Sequence, residues 1–163
     1  MRSSRAHHIL FGILFGPLLL AGCDFDAAVF VEATFLSAAA SVTQSSLAAG
    51  LSGQAQLNLH LGERASEAGQ VELQAVSINR AADGQSIIAS LGIRTDPAFP
   101  ISVAIDSDVL VTVTFVEMDN EVDVALVDAL CAGEVVLSAI LDDSLRGGTI
   151  EVASSPFSVA GCP

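Results

Sequence analysis

The chain has 163 residues, with 19 acidic side chains against six basic ones, and a formal charge of −13 at pH 7. All six basic residues are arginines, too few to neutralise a run of phosphates, which excludes nucleic acid as a partner. Trp and Tyr are absent, so the aromatic surface on which sugars commonly pack is missing as well.

The amino-terminal stretch carries Arg2 and Arg5, then an uncharged apolar run from Ile9 to Ala21. A basic head followed by so short an apolar core describes a secretory signal, because a spanning helix needs roughly 20 apolar residues. That run closes on Leu20-Ala21-Gly22-Cys23 and passes at once into Asp24-Phe25-Asp26. Residues 1–23 thereby resemble the lipoprotein signal of bacteria, whose lipobox places a small residue before a cysteine that is lipidated and then freed at its amino side. The resemblance implies that residues 1–22 are a signal peptide and that Cys23 becomes the acylated first residue, carrying chains such as palmitate. It also implies a lipid-anchored protein of the bacterial cell envelope, on the inner or the outer membrane, with its domain facing the periplasm or the exterior. In enteric bacteria an aspartate directly after the lipidated cysteine resembles the signal for retention at the inner membrane, and Asp24 stands there. Several acyl chains together hold a protein stably, at about 0.8 kcal/mol per buried methylene.

Cleavage there removes two of the six arginines and no acidic residue, leaving four cations against 19 anions, a side-chain charge of −15. Such a chain is repelled by anionic headgroups, so its membrane attachment rests on the lipid. The 141 residues from Cys23 onward suffice for one domain with an ordinary core.

Residues 27–53 are rich in Ala and Ser. Val31, Phe35, Ala38, Val42 and Ala49 fit a helical stripe, whereas the Ser and Gly content fits a flexible tether. The expectation for 23–53 is therefore a lipid-anchored tether or helix leaning on a domain that begins at residue 54.

From residue 54 the period becomes two. In QAQLNLHL, Ala55, Leu57, Leu59 and Leu61 face one way and Gln54, Gln56, Asn58 and His60 the other, as in a strand half buried on a core. Similar alternation recurs in QVELQAVSI, ISVAI, VLVTVTF, EVVLSAIL, TIEVA and FSVAG. Turn residues punctuate these runs at Ala82-Asp83-Gly84, Asp96-Pro97, Asp106-Ser107-Asp108 and Arg146-Gly147-Gly148. Seven or eight short strands over 54–163 predict a mainly β fold, an antiparallel β-sandwich that is immunoglobulin-like only loosely. The stretch DNEVDVALVDALCAG departs from alternation: Asn120 suits a cap, Glu121 and Asp123 a first helical turn, and Gly133 a stop. One short helix between strands is expected there.

Cys131 and Cys162 remain after Cys23 is assigned to the anchor, and an exported chain meets an oxidising compartment. They are expected to form one disulfide closing a loop of about 32 residues. Catalysis has little to draw on. His60 is the one histidine after Cys23 and lies on the polar side of a strand, and no Gly-x-Ser-x-Gly elbow occurs. Acidic pairs gather near turns at Asp106 with Asp108, at Asp119 with Glu121 and Asp123, and at Asp142 with Asp143. A hard cation such as calcium is the natural ligand for turn carboxylates. Yet the 119–130 stretch has Val124 where an EF-hand needs its glycine and Leu130 where it needs its glutamate, so turn and cap chemistry explains these residues better. The functional expectation is a non-catalytic binding or scaffold module, without cofactor, for a protein partner in the envelope. Its rival is a lipoprotein that binds a cation or small ligand through Asp106, Asp108, Asp119, Glu121 and Asp123.

Overall fold

The computed structural model of the protein describes residues 28–44, 49–117 and 124–163. Two antiparallel sheets pack face to face as a β-sandwich. The first has the order β1-β2-β7-β5, with β1 Glu32–Gln44, β2 Ala49–Leu61, β5 Ile93–Asp96 and β7 Ser107–Glu117. The second has the order β4-β3-β8-β9, with β3 Gly69–Arg80, β4 Ser86–Ile88, β8 Val135–Asp143 and β9 Gly148–Ala153. Strand β6, Ile101–Val103, pairs with the start of β3 on the edge whose far half holds β4. The helix α1, Val124–Cys131, connects β7 to β8 and buries Val127 and Leu130.

Alternation decides which faces meet. Leu57, Leu59 and Leu61 of β2 and Val111, Val113 and Phe115 of β7 turn inward against Val71, Val76 and Ile78 of β3 and Leu137, Ala139 and Leu141 of β8. Burying a side chain of this kind contributes about 1.5–3 kcal/mol, and these strands supply most of the core. The expected turns are present. Gly84 and Gly147 adopt the left-handed backbone at φ +71° and +65°, a conformation without steric cost for glycine.

Among the described residues of the stretch 23–53, those from 32 to 44 and from 49 to 53 are strand, not tether or helix, and residue 54 lies inside β2. Residues 32–44 form β1 and residues 49–53 the first part of β2, paired from Glu32↔His60 to Gln44↔Ala49. The apparent helical stripe has a specific cause. A β-bulge shifts the register between Phe35 and Ser37 and leaves Leu36 exposed, so the inward parity changes from odd (Val31, Phe35) to even (Ala40, Val42). The residues that turn inward are then spaced as a helix would space them. Of the glycines that suggested a tether, Gly53 has a packing role. Gly53 stands opposite Phe115, whose ring occupies the space a Cβ at position 53 would need.

FSVAG is not a strand. Phe157 exchanges both backbone hydrogen bonds with Val135 in the second sheet. Three residues later Ala160 donates to Ala40 O and accepts from Val42 N–H in the first. Pro156 lacks the donor that a continuing ladder needs, and the segment instead crosses from one sheet to the other.

Candidate functional site

Residues meet at two opposite ends of the sandwich. One end collects the start of β1, the β2–β3 loop, the β6–β7 turn and the β8–β9 turn, since Glu32 pairs with His60, His60 with Asp108, Gly69 with Val103 and Asp143 with Gly148. The other collects the β3–β4 turn, α1 and the segment 157–162.

The first end is organised by Asp143. Along β8 the inner face runs Val135, Leu137, Ala139, Leu141, and the next inward position is this aspartate, 0% exposed. Its Oδ2 accepts the Val31 N–H at 3.1 Å and its Oδ1 the Leu145 N–H at 3.0 Å. A carboxylate is tolerated in such a place because backbone donors replace the water it has lost. The bond to Val31 spans 112 residues and fastens the segment leading into β1 onto the β8–β9 turn. Gly69 makes room for this, since a Cβ there would lie 2.7 Å from Val31 Cγ2. In the same turn the Arg146 guanidinium stands 5.1 Å from the centroid of the Phe30 ring. Asp142, its neighbour in sequence, points outward and is exposed, so the adjacent pair does not share a site.

Asp106 and Asp108 also lie at this end. Asp106 occupies the β6–β7 turn at φ +56°, a left-handed conformation that aspartate tolerates better than most residues, and the turn is tied by the Ser107 hydroxyl donating to Ala104 O at 2.6 Å. Asp108 is the second residue of β7, where its Oδ1 accepts from Asn58 Nδ2 at 2.7 Å and lies 3.1 Å from His60 Nδ1. The His60 side chain is 28% exposed and that of Asp108 62%. His60 is thus a strand residue on the outer face, as its alternation indicates, but it has an acidic partner that is 48 residues away in sequence. Asp119, Glu121 and Asp123 lie outside the described residues, as do Asn120 and Cys23. Among the described residues no group of three His, Cys, Asp or Glu side chains is placed to hold a metal ion.

At the opposite end Cys131 and Cys162 are joined in a disulfide with Cα atoms 5.6 Å apart. It fastens the end of α1 to the segment that crosses between the sheets. Nearby, Asp83 in the β3–β4 turn has its carboxyl held below the ordinary aspartate range, first by the Gln85 N–H and further by the side chain of Arg80. A shallow groove between β4 and α1 is lined by Arg80, Gln85, Ile87 and Leu126, and another of about 560 Å³ lies over Ile93, Arg94, Thr114 and Val116. Neither brings together an acid, a base and a nucleophile. No protein family, no curated protein and no solved structure matches the chain.

Asp143 is the residue that sequence reasoning undervalued, having grouped it with Asp142 as a turn acid. The signal was present, because residues 135, 137, 139, 141 and 143 share one face of a strand.

Proposed function

We propose that the protein is a lipid-anchored lipoprotein of the bacterial cell envelope whose β-sandwich is a non-catalytic binding or scaffold module. The observation that carries this reading is the coincidence of Leu20-Ala21-Gly22-Cys23 at the close of a short apolar run with a folded domain whose first fully buried residue among those described, Val31, comes eight positions later. The Cys131–Cys162 bridge suits an oxidising compartment outside the cytoplasm. The non-catalytic part of the reading is supported by His60, the one histidine after Cys23, which lies on the outer side of β2 with its ring nitrogen on Asp108, a residue that also accepts from Asn58.

Metabolic labelling with a fatty-acid probe tests the anchor. Wild-type protein is expected to take up label and to partition into detergent, and Cys23→Ser is expected to lose both while its melting temperature stays unchanged. Unlabelled wild-type protein recovered in the aqueous phase after export overturns the reading. Crosslinking in intact envelopes then identifies the protein bound to the wild-type form.

A further inference from the structure

We infer that the Asp143 end of the sandwich is a membrane-docking surface, on which Val29, Phe30 and Ile105 dip into the interface of the bilayer that holds the acyl chains of Cys23. This rests on the lipoprotein reading above and adds an orientation to it. Three large apolar side chains are exposed at this one end: Val29 at 44%, Phe30 at 39% and Ile105 at 42%. Single exposed apolar residues are ordinary on any protein surface. Topology brings them to the same end, since Val29 and Phe30 lead into β1 while Ile105 sits in the turn that opens β7, with the end of β2 lying between β1 and β7.

Chain length selects the occupant. Val29 is six residues beyond Cys23, which limits its distance from the acylated residue to about 21 Å however the chain runs. Strand β2, with 13 residues, puts the disulfide end roughly 43 Å farther along the sandwich. The surface nearest the anchor is therefore the one that carries the three apolar side chains. Asp143 makes that proximity mechanical: its bond to Val31 prevents residues 29 and 30 from swinging free of the β8–β9 turn. Charge narrows the lipid. Arg146, poised over Phe30, and Arg64 in the β2–β3 loop are exposed at this end and can meet headgroup phosphates. Glu32, Glu63, Glu67, Asp106, Asp108 and Asp142, exposed at the same end, disfavour an anionic surface. The fit is to a bilayer of zwitterionic headgroups.

The absence of Trp and Tyr makes the test clean, because one introduced tryptophan is the protein's only such fluorophore. Phe30→Trp, Ile105→Trp and Val116→Trp are each prepared in the full lipidated protein and reconstituted into phosphatidylcholine vesicles. Val116, exposed on the outer face near the disulfide end, serves as the reference. Lipids brominated on their acyl chains are expected to quench the first two probes severalfold more strongly than the third, and aqueous iodide to show the reverse order. Three probes equally open to iodide on protein that floats with the vesicles overturn the docking surface and leave the anchor standing. Protein that does not float at all overturns the anchor, and the docking surface with it.

Discussion

At one end of the sandwich a buried carboxylate accepts two backbone N–H groups, and at the other a disulfide joins α1 to the segment that crosses between the sheets. Both devices fasten a peripheral segment to the core, by different physics. The disulfide acts chiefly on the unfolded chain, whose freedom it limits whether or not its surroundings are well packed. Asp143 acts only in the folded state, and only while the Val31 and Leu145 donors stand opposite its oxygens, because a charge without partners in that place is strongly destabilising. A bridge of the first kind tolerates loose surroundings; a carboxylate of the second kind requires local order.

Breaking the bridge should have the largest effect. The Cys131→Ser, Cys162→Ser double variant is expected to lose about 3–4 kcal/mol. Calorimetry should register this as a fall of roughly 10 °C in Tm for a domain of this size. An unchanged Tm would show that the bridge adds nothing to the fold.

Asp143→Asn comes next, and it sharpens the contrast because it keeps shape while replacing one acceptor by an amide N–H aimed at a donor. The expected cost is about 2 kcal/mol. Amide exchange should accelerate selectively at Val31 and Leu145, a local signature that the disulfide variant does not share. Uniform acceleration across β1 to β9 would mean that the carboxylate is not specific to its end.

Asp106→Ala in the β6–β7 turn should cost about 1 kcal/mol, the penalty for placing an ordinary side chain at a positive φ, while Asp106→Gly should be neutral or better. The wild-type protein is expected to show little change in Tm with millimolar calcium. A site held at 100 times its dissociation constant contributes about 2.7 kcal/mol, so a saturable rise of several degrees that disappears in Asp106→Ala or Asp119→Ala would establish the cation-binding alternative.

Asp83→Asn, at the disulfide end, is expected to have the smallest effect. Its carboxyl is held low by Gln85 and Arg80, so folding gains from its ionised form above the ordinary aspartate range and loses that gain as the pH falls through the lowered folded value. The carboxylate is exposed and screened by salt, which limits the gain. Comparing wild type with Asp83→Asn, a small difference in Tm at neutral pH should vanish on acidification; a difference that grew in acid would contradict the assignment.

Much of the architecture was legible in the alternation of β2, β7 and β8, where inward positions follow one parity, while in β3 a register shift between Leu73 and Ala75 moves them from odd (Val71) to even (Val76, Ile78). Strand β1 was not, because a single inserted residue at Leu36 gave two stretches of opposite parity the spacing of a helix. Small residues misled in the same region: Gly53 looks like linker until Phe115, 62 residues on, is seen to fill the space above it. The candidate site was partly readable. Both disulfide cysteines follow from export and parity of number, whereas the pairing of His60 with Asp108 depends on the β2–β7 register, which local sequence does not specify.

The crossing segment has a consequence for how the fold is reached. Ala160 bonds to β1 and Phe157 to β8, so the contacts that shut one side of the sandwich join residues more than 100 positions apart at one of the two seams. A nascent chain that has produced β1 to β8 therefore still has an open seam, and β1 waits for nearly the whole sequence before its outer partner arrives. Closure of such distant pairs carries a large loop entropy and makes folding slow compared with a helical domain of equal size.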